Sequence, residues 1–301
     1  MDSRPGRYPP GPRPRGTVRA AAVALAAAAV LTACSSAPPP TPPAPRTSTV
    51  SQAPTGGLAW LLTRSALAQV LTDPVVRDQL RSSRIYEILQ PGQRALAGVP
   101  AEPVVTFASA AALKQAVRRG RLGPGIYGVL YDPEAWSFTP ATEQRDPVRA
   151  AARAAAVAHA HGLRLIVAPA LNLATVLTPG GQEPRWRMFL SLNLAGRLAR
   201  VADLLELQAQ SLERGTATYA SFVRAATAQA VASNPGISVL AGLSTNPPGA
   251  PVDSQQLTEA IRATRSVVTG YWLNIPGRGP RCPACNSPRP DIAIQALRQS
   301  R

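Results

Sequence analysis

The feature that most constrains the fold is a repeated succession of helix, glycine and apolar strand in the second half of the chain. Residues 147–161, "PVRAAARAAAVAHAH", carry apolar side chains at helical spacing, Gly162 ends the run, and "LRLIVAPAL" follows as an apolar strand. The same order recurs with a helix over 216–233 before "ISVLAGLS" and a helix over 254–268 before "YWLNIPG". Such alternation is typical of a parallel sheet covered by helices.

The predicted strands start at similar intervals along the chain, near Ile126, Leu163, Asp203, Ile237 and Tyr271. Upstream, "PVVTFAS" and the helix "AAALKQAVRR" form another unit, and "RIYEIL" is predicted as the first strand, after a long helix over 58–82. About seven such units in one domain favour a closed barrel over an open doubly wound sheet. We therefore predict an α/β fold, a TIM-like (β/α) barrel of seven to eight parallel strands, and leave the eighth strand unassigned.

The first residues have the organisation of a bacterial export signal. Arginines precede an apolar run from Ala20 to Leu31, and that run is too short to cross a bilayer comfortably. It ends in "LTAC", residues 31–34, which resembles the lipobox of bacterial lipoproteins. The resemblance implies a signal peptide over 1–33 and a fatty-acylated Cys34 that anchors the chain to the extracytoplasmic face of the cell membrane. A plain secretory peptide with an incidental cysteine is the alternative.

Residues 34–57 consist mainly of Pro, Ser and Thr and show no apolar period. Such a segment cannot bury enough surface to offset its conformational entropy, and its prolines favour an extended backbone. We predict a disordered tether that holds a barrel domain, residues 58–301, away from the membrane.

The chain is strongly basic, with a formal net charge of +16, and Lys114 is its only lysine. Abundant Ala, Arg, Pro and Gly indicate a G+C-rich coding sequence, which alone can account for the arginines. Alternatively, the charge attracts the protein to an anionic surface, such as lipid headgroups or a cell-wall polymer. Nucleic acid is not an expected partner of an exported protein.

Polar residues accumulate toward the C-terminal ends of the predicted strands. Side chains alternate between the two faces of a strand, so each face can be followed along the sequence. On five strands the face that carries small residues ends in polar ones, whereas the other face is apolar. In a closed barrel these polar side chains would meet at one mouth, where barrel enzymes hold their sites. They are Asp132, Glu134, Asn172, Glu206, Gln208, Ser244, Asn246 and Asn274.

The residues predicted at this mouth restrict the chemistry to carboxylates. Histidine is absent from the set, which disfavours a metal, and neither a GxGxxG nor a Walker A motif supports a nucleotide cofactor. Ser244 lacks a histidine partner in a GxSxG elbow, and Lys114 lies on a helix, so we expect neither a serine nucleophile nor a Schiff base. Glycoside hydrolysis needs one protonated carboxyl and one carboxylate. We predict Glu206, with Asp132 or Glu134, as this catalytic pair.

The remaining residues of the predicted mouth suit a sugar ligand, because amides bind hydroxyls and indoles stack on sugar faces. The predicted ligand-binding residues are Trp136, Asn172, Gln208, Ser244, Asn246, Trp272 and Asn274. Packing is an equal alternative for the two tryptophans. The alternative for the whole site is a non-catalytic lipoprotein that binds a ligand or a cell-wall polymer, since amides outnumber carboxylates and move no protons.

Two further cysteines, Cys282 and Cys285, lie in "RCPACNSP". Outside the cytoplasm a CxxC of this kind is predicted to form a disulfide in a small loop. Redox activity would require a strand and a helix around the pair, and zinc would require ligands other than the distant His159 and His161.

The stretches "YDPEAWSFTP", "HGLRLIVAPAL" and "YWLNIPG" together resemble uncharacterised barrel lipoproteins of high-G+C Gram-positive bacteria. The pattern is also similar, at the level of the fold, to barrel glycoside hydrolases. The chain departs from the chitinase-like barrels in lacking their DxxDxDxE run. The resemblance implies the barrel and the anchor, and it implies no particular substrate.

Overall fold

Eight parallel strands form the centre of the computed structural model, which describes residues 57–247, 252–280 and 282–300. The strands are β1 Ala59–Thr63, β2 Ile85–Leu89, β3 Glu102–Phe107, β4 Gly128–Tyr131, β5 Arg164–Val167, β6 Leu204–Leu207, β7 Ser238–Ser244 and β8 Gly270–Asn274. They pair in chain order, and β8 also pairs with β1, so that the barrel closes. The predicted TIM-like barrel is confirmed. The predicted signal peptide, Cys34 and the tether lie outside the described residues.

Helices occupy the connections between most of the strands. They are α1 Arg64–Val70, α2 Pro74–Leu80, α3 Ala110–Arg118, α4 Ala141–Arg145, α5 Pro147–His159, α6 Leu173–Leu177, α7 Arg185–Ser191, α8 Leu194–Ala199, α9 Thr216–Ser233, α10 Ser254–Thr264 and α11 Pro290–Gln299. A short 3-10 helix covers Gln210–Leu212. Within the described part of the chain, no helix combines the length and apolarity needed to span a bilayer.

The sequence specifies several helix starts through capping side chains. Asp73 and Asp146 each accept a hydrogen bond from the backbone N–H three residues later, and a proline follows each of them at the first helical position. Asp253 and Gln256 form a reciprocal capping box at the start of α10. These contacts satisfy backbone donors that would otherwise lack partners at the helix ends.

The predicted helix over 58–82 is wrong, because its first part is the missing eighth strand. The run from Ala59 to Leu62 is apolar and buried on both faces, which a strand inside a helix-covered barrel requires. Thr63 then caps α1 with its hydroxyl, and Asp73 with Pro74 starts a second helix. The predicted first strand, "RIYEIL", is therefore the second one.

Alternation along the strands separates two packed layers. One layer fills the inside of the barrel and includes Leu61, Leu130, Ile166 and Leu240. The other layer packs the sheet against the helices. On the last five strands it consists of Val129, Tyr131, Leu165, Val167, Leu205, Leu207, Val239, Ala241, Leu243, Tyr271 and Leu273. The predicted assignment of strand faces is confirmed, so polar residues in phase with the inner layer project into the barrel.

Barrel closure depends on a glycine at the β8–β1 contact. A Cβ atom at Gly270 would lie 2.1 Å from the carbonyl oxygen of Ala59, closer than any real contact. The strands can therefore approach only because residue 270 has no side chain.

A polar cluster closes the barrel at the N-terminal ends of the strands. The ring of Tyr86 packs inside the barrel with its centroid 5.7 Å from that of Tyr127. The Arg84 guanidinium donates to Glu102 at 2.9 Å and to the Tyr127 hydroxyl at 3.0 Å. The cavity described next lies at the other end, which we call the mouth.

Candidate active site

A cavity of about 620 Å³ lies at the mouth, over the C-terminal ends of β1, β4, β6, β7 and β8. Eight of the residues predicted from the sequence line it, namely Asp132, Glu134, Trp136, Gln208, Ser244, Asn246, Trp272 and Asn274. Asn172 and Glu206 were also predicted at the mouth but are not among the lining residues. The register of four strands, β4, β6, β7 and β8, thus brings most of the predicted side chains together.

Asp132 is held in a fixed orientation at the end of β4. Its backbone N–H donates to the Phe107 carbonyl at 2.9 Å, which extends the strand pairing by one residue. Its side chain is 6% exposed, and its Oδ1 accepts a hydrogen bond from the Gln208 Nε2 at 2.5 Å. The same Nε2 donates to the Ala168 carbonyl at 2.8 Å. Gln208 therefore connects three neighbouring strands and aims the Asp132 carboxylate.

The loop that carries Glu134 and Trp136 is fixed by the hydroxyl of Thr139. This Oγ1 accepts from the Glu134 backbone N–H at 3.2 Å and from the Trp136 Nε1 at 2.9 Å. It donates to the Ala108 carbonyl at 2.9 Å, which anchors the loop to the end of β3. Glu134 is partly exposed, so its carboxyl group reaches the cavity from a rigid support.

Asn172, which the sequence predicted to bind a ligand, makes a hydrogen bond to the protein backbone. Its Oδ1 accepts a hydrogen bond from the Ala135 backbone N–H at 2.9 Å. The strand face was assigned correctly, but Asn172 lies beyond the end of β5 and immediately before α6, where its side chain turns toward the β4 loop. Asn172 therefore supports the loop between Glu134 and Trp136 and does not line the cavity.

Glu206 lies beneath the cavity and inside the barrel. It is fully buried, and neither carboxyl oxygen has a hydrogen-bond partner among the described residues. Burial raises the pKa of Glu206 well above its usual value, and the negative charges of Asp132 and Glu134 raise it further. The site therefore favours the protonated form of the carboxyl group. The predicted strand face is correct, but Glu206 is two residues before Gln208 and so about 7 Å deeper along the strand.

A glycine makes room for Glu206 and its neighbour Gln210. A Cβ atom at Gly242 on β7 would lie 2.7 Å from the Glu206 Oε1 and 2.6 Å from the Gln210 Nε2. Gln210 lines the cavity, so Glu206 lies directly below a side chain of the cavity floor.

Aromatic rings stand on two sides of the cavity. Trp136 and Phe138 from the β4 loop pack edge to face with centroids 5.0 Å apart, and Phe138 is 47% exposed. Trp272 from β8 is 8% exposed, and its Nε1 has no hydrogen-bond partner in the described part of the chain. The same holds for the side-chain amide atoms of the buried Asn246. The cavity thus combines apolar faces with hydrogen-bonding groups that protein atoms leave unsatisfied.

The cavity is acidic, although the chain as a whole is basic. Asp132 and Glu134 are its charged residues, and no Lys, Arg or His is found among the described residues that line it. A phosphate or carboxylate ligand would meet repulsion here, whereas a neutral polyhydroxyl compound would not. Among the described residues there is no group of three or more His, Cys, Asp or Glu side chains that could hold a metal.

The loop after β8 forms the wall nearest to Trp272. Ile275, Gly277, Pro280 and Cys282 from this loop line the cavity. The structure joins Cys282 and Cys285 by a disulfide, and Cys285 is fully buried. The cross-link holds the wall in a compact turn, in which Gly279 and Cys282 also exchange backbone hydrogen bonds.

Besides the loop after β8 and Pro247, sequence reasoning missed four side chains of the cavity. Thr63 ends β1 and Ser65 lies in the first turn of α1, and this whole region was taken for one helix. Phe138 follows Trp136 at a spacing of two, and Gln210 has the same phase as Glu206 and Gln208. The last two could have been found by extending the alternation past the strand ends.

No protein-family model matches the chain, and no curated protein shows significant sequence similarity to it. Solved structures with similar folds include barrel glycoside hydrolases. A chitinase from Chromobacterium violaceum is 13% identical, with 81% of this chain and 99% of that chain covered and a TM-score of 0.44. A class V chitinase from Pseudomonas fluorescens Pf-5 is 12% identical, with the same coverages and a TM-score of 0.44.

The HMG-CoA lyase from Brucella melitensis is also similar in fold. It is 11% identical, with 79% of this chain and 89% of that chain covered and a TM-score of 0.49. With such low identities and TM-scores the likenesses carry no argument about function. Conclusions on function must come from the cavity itself.

Proposed function

We propose that the protein is an exported, membrane-anchored glycoside hydrolase that cleaves a neutral glycan at the barrel mouth. The observation that carries this proposal is the pair of carboxyl groups, Asp132 and Glu134, in a cavity with aromatic walls whose described lining residues include no Lys, Arg or His. Two carboxyl groups are the minimum for acid-assisted cleavage of a glycosidic bond. Aromatic faces and amides are the groups that bind sugar rings and their hydroxyls.

The contacts of the two carboxyl groups suggest different roles. Asp132 accepts a hydrogen bond from an amide donor, which suits a carboxylate that faces the developing positive charge on the sugar. Glu134 is the more exposed group and lies on the loop above, where it can give a proton to the leaving oxygen. The proton returns to Glu134 when water completes the hydrolysis.

Glu206 takes a supporting role in this proposal instead of the catalytic role predicted from the sequence. It does not line the cavity, and burial together with the charges of Asp132 and Glu134 raises its pKa and favours the protonated form. In that form Glu206 adds no third negative charge beside Asp132 and Glu134, so each of these two groups can gain or lose a proton without a further charge beneath it.

The proposal can be tested with the purified chain that begins at Ser35. We expect it to release reducing ends from at least one polysaccharide in a panel of neutral glycans, and to leave polyanionic glycans intact. Release from polyanionic glycans alone would contradict the proposed charge selectivity.

A second candidate function is glycan binding without catalysis. The short hydrogen bond between Asp132 and Gln208 favours it, because a carboxylate oxygen held by an amide is less available to a substrate. Binding of a neutral glycan with no release of reducing ends, in wild-type protein that is fully folded, would select this alternative.

Replacing Trp136 by Ala is expected to weaken glycan binding about tenfold, because one stacking face is lost. The free energy of unfolding should fall only modestly, since the side chain is partly exposed. The effect should appear in KM or Kd and leave kcat nearly unchanged, as measured by steady-state kinetics and calorimetry. The control is Trp186→Ala, at a position that is also partly exposed but does not line the cavity. Equal losses for both variants would contradict a role of Trp136 in binding.

We further propose that Cys34 carries the lipid anchor, on the basis of the "LTAC" motif after the apolar run. Replacing Cys34 by Ala in the full-length chain is expected to move the protein from the membrane fraction to the soluble extracellular fraction and to abolish palmitate labelling. Fractionation of cells followed by immunodetection measures the shift. Membrane retention of the variant at the wild-type level would contradict the anchor.

A further inference from the structure

The end of the barrel opposite the mouth is rich in arginine. All strands are parallel, so the segments that lead from each helix into the next strand lie at this end. We call it the basic end and define it by the arginines in these segments and in the adjoining last helical turns. They are Arg77, Arg81, Arg84, Arg118, Arg119, Arg121, Arg164, Arg197, Arg200, Arg262 and Arg265.

The acidic residues at the basic end do not neutralise this charge. Asp78 pairs with Arg81 at 3.3 Å, Glu102 with Arg84 at 2.9 Å, and Asp203 with Arg164 at 2.9 Å. Each acid is thereby used, and a set of exposed arginines has no ion pair within the described residues. This set consists of Arg77, Arg118, Arg119, Arg121, Arg200 and Arg262.

Exposed apolar side chains accompany the arginines. Val231 in the last turn of α9 is 41% exposed, and Val267 between α10 and β8 is 37% exposed. Two of the four large apolar side chains that are exposed in the described chain thus lie at the basic end. Mixed arginine and aliphatic side chains suit an interface between water and lipid headgroups.

The polypeptide enters the barrel at the same end. Gly57 and Leu58 directly precede β1, whose first residue pairs with the first residue of β8. Residues 1–56 are therefore connected to the barrel at the basic end, opposite the cavity. A chain held by its N-terminal segment at a membrane can present this end to the lipid and the mouth to the surroundings.

We propose that the basic end docks on an anionic lipid surface and that the cavity mouth consequently faces away from the membrane. The lipid headgroups supply the negative charge that the exposed arginines lack within the protein. The docking is a property of the barrel itself, and it depends neither on acylation of Cys34 nor on hydrolysis at the mouth.

The test uses the chain that begins at Ser35, which lacks Cys34 but contains the whole closed barrel. We expect it to sediment with vesicles of equal parts phosphatidylcholine and phosphatidylglycerol and not with pure phosphatidylcholine vesicles. Binding should fall steeply as salt is added, because a Debye length of about 8 Å at physiological ionic strength screens the attraction. Replacing Arg118, Arg119 and Arg121 together by Gln should weaken vesicle binding roughly 10- to 100-fold.

A matched variant replaces three exposed arginines of the opposite end, Arg149, Arg185 and Arg214, by Gln. It changes the net charge by the same amount and should bind vesicles at nearly the wild-type level. Equal losses in the two triple variants would overturn the proposal, because they would indicate attraction to net charge alone. The proposal would also be overturned if the protein bound a soluble polyphosphate but did not bind vesicles. That result would assign the basic end to an anionic cell-wall polymer. Circular dichroism verifies that each variant is folded.

Discussion

Replacing Glu134 by Gln is expected to reduce glycan hydrolysis by about three orders of magnitude, because an amide cannot give a proton to the leaving oxygen. The loss should fall on kcat, since Gln keeps the size and hydrogen-bonding capacity of the side chain and therefore retains ligand binding. Reducing-end release under saturating substrate measures the effect. The same loss is expected for Asp132→Asn if Asp132 supplies the carboxylate at the sugar carbon.

The control for this prediction is Glu183→Gln, the same chemical change at an exposed position that pairs with Arg187 outside the cavity. It should hydrolyse the glycan at the wild-type rate. A leaving group that needs no protonation, such as a dinitrophenolate, should restore part of the activity of the Glu134 variant but none of that of Asp132→Asn. Wild-type activity of Glu134→Gln on natural glycan would contradict the assignment.

The fold was predictable because a barrel covered by helices imposes one pattern of apolar residues on its helices and another on its strands. Helices such as α5 and α9 repeat their apolar residues at helical spacing, and strands such as β7 are buried on both faces. The strand β1 was mistaken for the start of a helix because its short apolar run shows neither helical spacing nor the alternation of a half-buried strand. Only its pairing with β2 and β8, which are distant in sequence, makes it a strand.

The composition of the cavity was predictable to the extent that strand alternation determines it. Asp132, Gln208 and Asn274 project inward because their phase matches that of the buried inner layer. The alternation of side chains along a strand does not determine how deep in the barrel a side chain lies or how the following loop folds. Glu206 is on the correct face and lies too deep, and Asn172 turns toward Ala135 because a helix begins directly after it.

Replacing the buried Glu206 by Gln is expected to change how the stability of the protein depends on pH. Glu206 has a pKa raised well above its usual value in the folded chain, whereas in the unfolded chain it titrates near pH 4.5. Between these two pKa values the folded state holds a proton that the unfolded state has lost. Rising pH therefore favours unfolding, by about 1.4 kcal/mol for each pH unit from this one group.

Gln cannot ionise in either state, so Glu206→Gln removes this slope. At about pH 4 the variant should be no more stable than the wild type, because both side chains are neutral in the folded and unfolded chains. As the pH rises above about 5 it should become progressively more stable relative to the wild type, with a higher urea midpoint and a higher Tm. Glu183→Gln, at an exposed site, should leave the pH dependence unchanged.

The diagnostic quantity is the change in slope, because the amide of Gln also places a donor in a site without partners and shifts the absolute stability. Glu213 is a second buried carboxyl with a raised pKa, and it contributes a slope of the same sign that persists in the Glu206 variant. Replacing both residues should therefore flatten the profile further than either replacement alone. Parallel profiles for Glu206→Gln and wild type would mean that Glu206 is ionised in the folded barrel. Three negative charges would then lie together at the mouth, and the assignment of Asp132 and Glu134 as an independent pair could not hold.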